Sequence, residues 1–212
     1  MTNAVSTDAR TAGPGTDEVV VLLDPSGAAI GTQPKRDAHH SDTALHLGFS
    51  TYVFDADGRL LVTTRAHDKA TFPGVLTNSF CGHPAPGESL EDAVARRGAD
   101  ELGLAPGDLQ GVRLVLPDFA YRAEMDGVVE NELCPVLVAW LRPGVAVVAD
   151  PEETASVESV EWAGFSAAVL AGELQVSRWC REQVPLLVGL GDDPADWPEG
   201  DPALLPGAVR LT

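Results

Sequence analysis

The spacing of apolar residues changes along the chain, and with it the element each stretch predicts. Val19 to Leu23 is an unbroken apolar run that closes on Asp24-Pro25-Ser26-Gly27, a strand delivered into a turn. A polar stretch from Thr32 to Thr43 follows and carries His39 and His40. Leu47 to Phe54 and Arg59 to Arg65 flank Asp55-Ala56-Asp57-Gly58, the strongest hairpin signal in the sequence. Thr77 to Cys81 predicts another short strand. From Ser89 the period lengthens: Leu90, Val94, Gly98 and Leu102 recur every four residues, which predicts an amphipathic helix capped by Ser89 and terminated by Gly103. Leu109 to Ala123 and Val128 to Leu141 then read as two long strands around Glu124-Met125-Asp126-Gly127. Val157 to Trp162 predicts a further strand, and Phe165 to Leu174 and Arg178 to Leu190 predict helices. The sum is one α/β (α+β) domain over residues 18–190. Residues 1–17 lack periodicity and read as a disordered leader, and residues 191–212, punctuated by Pro194, Pro198, Pro202 and Pro206, as an extended surface arm.

Composition narrows the partners. A chain of 212 residues with 44% hydrophobic content buries one good core rather than two. Its formal charge of −18 repels polyphosphate backbones and anionic membrane surfaces, which excludes nucleic acid as the main partner. A phosphate-bearing ligand therefore needs a local cluster of cations or a metal. No apolar run is long enough to span a membrane, so the expectation is a cytoplasmic protein without membrane insertion, as a monomer or weak homodimer. Three cysteines, Cys81, Cys134 and Cys180, cannot all pair, and in that compartment they read as reduced, buried or reactive thiols.

Three features could carry chemistry. Glu130-Asn131-Glu132 interrupts an apolar strand, and strand alternation puts the two carboxylates on one face. Two like charges in a core need a cation or a shared proton, unless this is simply a strand end facing water. In Cys81-Gly82-His83 the same spacing aims a thiol and an imidazole into one space, although a lone Cys or His is more often only packed. His39 and His46 straddle the start of a strand and mean little in isolation. Together, three imidazoles and two carboxylates make a donor set that suits Zn²⁺, Mn²⁺ or Fe²⁺. Cys81 could be a sixth ligand or a proton donor and acceptor beside them.

The run Gly82, Glu88, Arg96, Arg97, Asp100, Glu101, Gly103 is similar to the Nudix pattern Gly-x5-Glu-x7-Arg-Glu-x-x-Glu-Glu-x-Gly. It departs where a hydrolase loads its metals: Arg97 stands for a Glu, Asp100 for another, and Gly98 for a large apolar residue. A Nudix pyrophosphohydrolase is thereby disfavoured. A non-catalytic metal-binding module on the same scaffold is the other alternative.

Thr77-Asn78-Ser79-Phe80-Cys81-Gly82-His83-Pro84, joined to Glu130-Asn131-Glu132-Leu133-Cys134-Pro135 and to Asp118-Phe119-Ala120-Tyr121-Arg122, resembles the type I isopentenyl-diphosphate isomerases, with matching stretches spread from about Val19 to Gly189. The resemblance implies a Nudix-like fold with a mixed central sheet flanked by helices. It implies that isopentenyl diphosphate is isomerised to dimethylallyl diphosphate through a carbocation. It makes His39, His46, His83, Glu130 and Glu132 ligands of one tightly bound divalent metal (Mn²⁺, Zn²⁺ or Mg²⁺). Cys81 and Glu132 become the acid/base pair, with Tyr121 hydrogen-bonded near Glu132. Glu101 would hold a Mg²⁺ that arrives with the substrate diphosphate, assisted by Arg65 and Lys69. Trp179, in Ser177-Arg178-Trp179, would face the developing cation. Phe72 stands where that family often has Trp, and His39 rather than His40 keeps the family spacing to His46.

Overall fold

Where the chain crosses between its two sheets decides where the site forms. The structure, a computed structural model, describes residues 18–212; the expected leader lies outside them. One sheet contains β1 (Val19–Leu23), β2 (Ala29–Pro34), β3 (His46–Leu47), β9 (Ala120–Met125) and β10 (Val128–Leu133), in the order β2-β1-β3-β10-β9. The other contains β4 (Phe49–Phe54), β5 (Leu60–Arg65), β8 (Leu109–Leu116), β11 (Val136–Leu141) and β12 (Thr154–Val160), in the order β12-β5-β4-β11-β8. Two short strands, β6 (Leu76–Thr77) and β7 (Phe80–Gly82), add to β5 and β4 respectively. The helices are α1 (Lys35–Ala38), α2 (Leu90–Leu102), α3 (Trp162–Leu170) and α4 (Arg178–Val188). The sheets are mixed, because β3 runs parallel to β10 and β4 parallel to β11 while the other pairings are antiparallel.

The two long strands expected over 109–123 and 128–141 are four. Pro117 and Pro135 have no N–H for a ladder, so each stretch leaves one sheet there and enters the other. The break is stitched by Cys134 N–H donating to Phe119 O at 2.7 Å and Ser50 N–H to Pro135 O at 3.0 Å. The strand expected over 47–54 divides likewise at Gly48, between β3 and β4. The polar stretch 32–43, to which the apolar spacing assigns no element, holds the end of β2 and all of α1. The strand expected over 157–162 begins at Thr154 and ends at Val160, because Trp162 opens α3 and turns into the core. The Asp55–Gly58 hairpin forms, with Gly58 at φ 75°. Ser89 caps α2 by accepting from Asp92 N–H at 3.2 Å, and Gly103 ends it at φ 66°.

The expected surface arm over 191–212 is a strap packed on the domain. Trp197 is buried against Phe54 and Trp162. Arg113 crosses to the carbonyls of Pro194, Ala195 and Trp197. Leu90 and Glu91 N–H, which an α-helix leaves free at its start, donate to Arg210 O and Leu211 O at 3.0 Å each. Proline spacing suggested exposure, but apolar Trp197, Leu205, Val209 and Leu211 give the strap something to bury. Deleting residues 207–212 uncovers α2's first amides and removes the half-buried Ala208, Val209 and Leu211. That should cost about 2 kcal/mol and lower Tm by about 4–8 °C. A calorimetric scan with Tm unchanged would contradict a stabilising strap.

Candidate active site

The residues singled out in the sequence converge on one cavity of about 330 Å³. Of the eleven, ten line it: His39, Arg65, Lys69, Cys81, His83, Glu101, Tyr121, Glu130, Glu132 and Trp179. His46 lies behind this wall, fully buried, and reaches the same cluster of polar atoms.

That cluster comes from the crossover of β3 and β10, whose parallel register puts Glu132 beside His46. Alternation on β10 sends Glu130 and Glu132 inward, while Asn131 turns the other way and donates to Thr43 O at 3.2 Å. One ligand atom from each of His39, His46, His83, Glu130 and Glu132 lies within 4.8 Å of all the others. Such proximity leaves no room for a side chain at Gly48, where a Cβ would stand 2.1 Å from Glu132 Oε2.

Whether these groups suit a metal is answered by their hydrogen bonds. His39 Nε2, His46 Nε2, His83 Nδ1 and Glu130 Oε2 are buried with no hydrogen-bond partner among the described residues. His39 Nε2 and Glu130 Oε2 lie 3.0 Å apart without hydrogen-bond alignment. Orphaned buried polar atoms are costly, and a cation among these five residues would satisfy such atoms. Burial lowers His46, but its contacts with Glu132 outweigh this and raise it above the ordinary imidazole value; its Nδ1 lies 2.9 Å from Ala44 O, so a ring that carries its proton there turns the Nε2 lone pair towards Glu132. Burial pushes His83 down to about 4 despite its 3.0 Å contact with Glu132, which keeps that imidazole neutral. Burial raises Glu132, but its contacts with His46 and His83 outweigh this and hold it ionised. The residues fit a divalent ion.

The thiol lines the same cavity. Cys81 Sγ is 3.4 Å from Ser50 Oγ and 3.3 Å from Asn78 Oδ1. Burial pushes it up to about 12, against the opposing effect of those two hydrogen bonds, so at neutral pH it is a protonated thiol. Asn78 Oδ1 also accepts from Trp179 Nε1 at 3.0 Å, which satisfies the indole's only donor and leaves its ring for the cavity. Trp179 packs edge-on to Phe72 at 5.3 Å and tilted against Tyr121 at 5.5 Å. Tyr121 sits opposite Glu132 in the β9–β10 register and so shares its face. The expected hydrogen bond from Tyr121 to Glu132 is not formed in the structure; the phenol stacks between Phe119 and Trp179 instead.

The third wall is charged. Arg97 donates to Glu101 at 2.6 Å and to Glu153 at 2.9 Å, and Lys69 also pairs with Glu153. Gly82 leaves room for this guanidinium, since a Cβ there would meet Arg97 Cγ at 2.7 Å. Glu101 nevertheless stays above the usual carboxylate range, because burial and neighbouring Glu153 outweigh Arg97. Arg65 is held by Thr71 O, Phe72 O and Thr71 Oγ1, and its guanidinium lies 5.8 Å from the Trp179 ring centroid. Lys35 and Arg36 on α1 add to the cationic rim, with Lys35 2.6 Å from Glu18.

Glu153 is a site residue that the sequence did not disclose, since Pro151-Glu152-Glu153 reads only as a polar turn. Asn78 was visible inside the Thr-Asn-Ser-x-Cys run, but nothing there announced that it orients both Cys81 and Trp179. Burial raises Glu153, yet Arg97 and Lys69 outweigh it and depress it to about 2. A depressed carboxyl stabilises the fold above its unfolded value of about 4.5 and loses that contribution as pH falls towards 2. Glu153→Gln should therefore be the less stable protein at neutral pH, and the gap should narrow between about pH 4.5 and 2. Urea unfolding of both proteins across that range checks this, and a gap independent of pH would contradict the pairing.

Fold and site together define a NUDIX-domain protein with a buried His/Glu centre. The NUDIX domain family model matches residues 44–181. The structure is similar to that of DR0079 from Deinococcus radiodurans, with a TM-score of 0.61 at 17% identity over 80% of this chain and 98% of that one. It is also similar to RenU, a Nudix hydrolase from M. smegmatis, with a TM-score of 0.52 at 16% identity over 86% and 98%. At such identities the likeness speaks for the fold alone. The isopentenyl-diphosphate Delta-isomerase of Saccharopolyspora erythraea is 55% identical over 92% of this chain and 98% of its own length. That of Rhizobium rhizogenes is 50% identical over 91% of both. The chain belongs to the isopentenyl-diphosphate Delta-isomerase family of NUDIX-fold proteins.

Proposed function

We propose that this enzyme interconverts isopentenyl and dimethylallyl diphosphate by moving one proton onto the terminal alkene carbon and removing another from C2. The observation that carries this reading is that Cys81 and Glu132 share one cavity with buried Trp179 and Tyr121. Between them the pair holds one transferable proton, on the thiol, while Glu132 is ionised. Proton addition at one carbon and loss at another returns the same count, so either direction leaves the pair ready for its reverse. The intermediate is a tertiary carbocation that water would capture, and an aromatic wall lowers its energy without offering a nucleophile. Trp179 supplies that face, with Tyr121 and Phe72 packed around it.

A divalent ion, Zn²⁺ or Mn²⁺ by donor type, would be held by His39, His46, His83, Glu130 and Glu132, and supplies positive charge that lowers the proton affinity of Glu132. Glu101 would hold a Mg²⁺ that arrives with the diphosphate, and Arg65 and Lys69, which line the same cavity, would add positive charge for its oxygens. Hydrolysis is disfavoured by Arg97, which places a cation among the carboxylates where a Nudix hydrolase gathers its metals. Incubating the protein with isopentenyl diphosphate and Mg²⁺ should yield dimethylallyl diphosphate with no phosphate released. Phosphate release from nucleoside diphosphate derivatives without alkene isomerisation would favour the hydrolase instead.

A further inference from the structure

Behind Cys81 a chain of polar side chains runs into the core. Ser50 and Tyr52 on β4 and Gln183 on α4 are each fully buried. Gln183 Nε2 donates to Ser50 Oγ at 2.9 Å, and the Tyr52 hydroxyl donates to Gln183 Oε1 at 2.9 Å. Ser50 Oγ in turn lies 3.4 Å from the sulfurs of both Cys81 and Cys134. An amide and two hydroxyls in an otherwise apolar core demand mutual satisfaction that Met, Phe and Ala in the same places would not. What this polar line reaches, and an apolar one would not, is the Cys81 sulfur.

Counting donors and acceptors shows what Gln183 does there. Ser50 has one hydroxyl hydrogen and two lone pairs. Gln183 Nε2–H occupies one lone pair, which leaves one lone pair and one hydrogen for two thiols. Ser50 must therefore donate to one and accept from the other. The second partner of Cys81, Asn78 Oδ1, already accepts from Trp179 Nε1 and Thr77 Oγ1. Cys81 Sγ is thus held between two groups whose own orientations are fixed from behind. Gln183 stands one helical turn after Trp179, so a single face of α4 presents the aromatic wall and reaches the thiol through Ser50.

We propose that Gln183 is a positioning residue for the isomerisation, acting through Ser50 to fix the direction in which Cys81 Sγ points into the cavity. The inference rests on the isomerase reading above. Gln183→Met keeps the length of the side chain and removes both hydrogen bonds. It should lower kcat about tenfold while KM and metal content stay near wild type, in keeping with the sensitivity of proton transfer to small misplacements. Ser50→Ala should lower kcat at least as much. The double variant should fall no further than Ser50→Ala alone, because the side-chain hydrogen bonds lead from Gln183 to the thiol through that hydroxyl. A role confined to core stability predicts no such non-additivity in kcat. Tyr52→Phe cuts the same network on the side away from Cys81 and should keep most of its kcat at a comparable loss in Tm.

Full kcat in Gln183→Met, additive losses in the double variant, or an equal loss in Tyr52→Phe would each overturn the proposal. If Gln183→Met does not fold, Ser50→Ala decides alone, with wild-type kcat overturning it. Turnover by the unaltered chain in the same assay separates the two levels. Wild-type turnover with an unaffected Gln183→Met overturns the positioning role and leaves the isomerase reading standing. An unaltered chain without turnover overturns both.

Discussion

Glu132→Gln should abolish most activity and most metal together: turnover falls by about a thousandfold, within the range for losing a general acid or base, and bound divalent metal falls with it. Glu132 is where the two halves of the site meet. Its carboxylate contacts His46 at 3.4 Å and His83 at 3.0 Å, and its other oxygen fills the space that a Cβ on Gly48 would take. The amide has nearly the same shape, so the substitution tests charge and proton capacity rather than packing. Elemental analysis and turnover on one preparation read both effects. Full metal occupancy with near wild-type turnover would remove Glu132 from both roles.

Cys81→Ala should fail in a different way. Turnover drops at least about a hundredfold, while the protein folds, keeps its metal and still binds a dimethylallyl diphosphate analogue. Among the described residues the Cys81 side chain makes two long hydrogen bonds, to Ser50 and Asn78, and is no part of the His/Glu cluster. If the thiol were merely a small buried hydrophobe, alanine would be a mild replacement and turnover would survive. A variant retaining near wild-type turnover would leave the metal site as the one catalytic element.

Local signals in the sequence translated well into structure wherever the deciding interactions are local. The Ser89 cap, the Gly103 terminus and the Asp57-Gly58 hairpin depend on residues a few positions apart, and all three form. Alternation sufficed to place Glu130 and Glu132 on one face, because a strand's geometry is fixed by its own backbone. Non-local competition was not legible. Periodicity runs straight through Pro117 and Pro135, yet the missing N–H groups let the chain change sheets, and that crossing assembles the His/Glu cluster. The strap over 191–212 looked like a solvated arm because prolines dominate its pattern. Its docking is decided by Trp197 finding Phe54 and Trp162, far earlier in the chain. Glu153 is hidden for the same reason, since its partners Lys69 and Arg97 are tens of residues away.

Solvent hydrogen exchange into substrate tests the central claim most directly, because it reads the proton transfers themselves. Isopentenyl diphosphate incubated in heavy water with the metal-loaded protein and Mg²⁺ should give dimethylallyl diphosphate carrying deuterium in the methyl group formed from the terminal alkene carbon, followed by NMR. On return through the reverse reaction, deuterium should also appear at C2 of recovered isopentenyl diphosphate, and Cys81→Ala and Glu132→Gln should suppress both signals. Unlabelled isopentenyl diphosphate recovered intact after long incubation with a folded, metal-loaded protein would contradict the account.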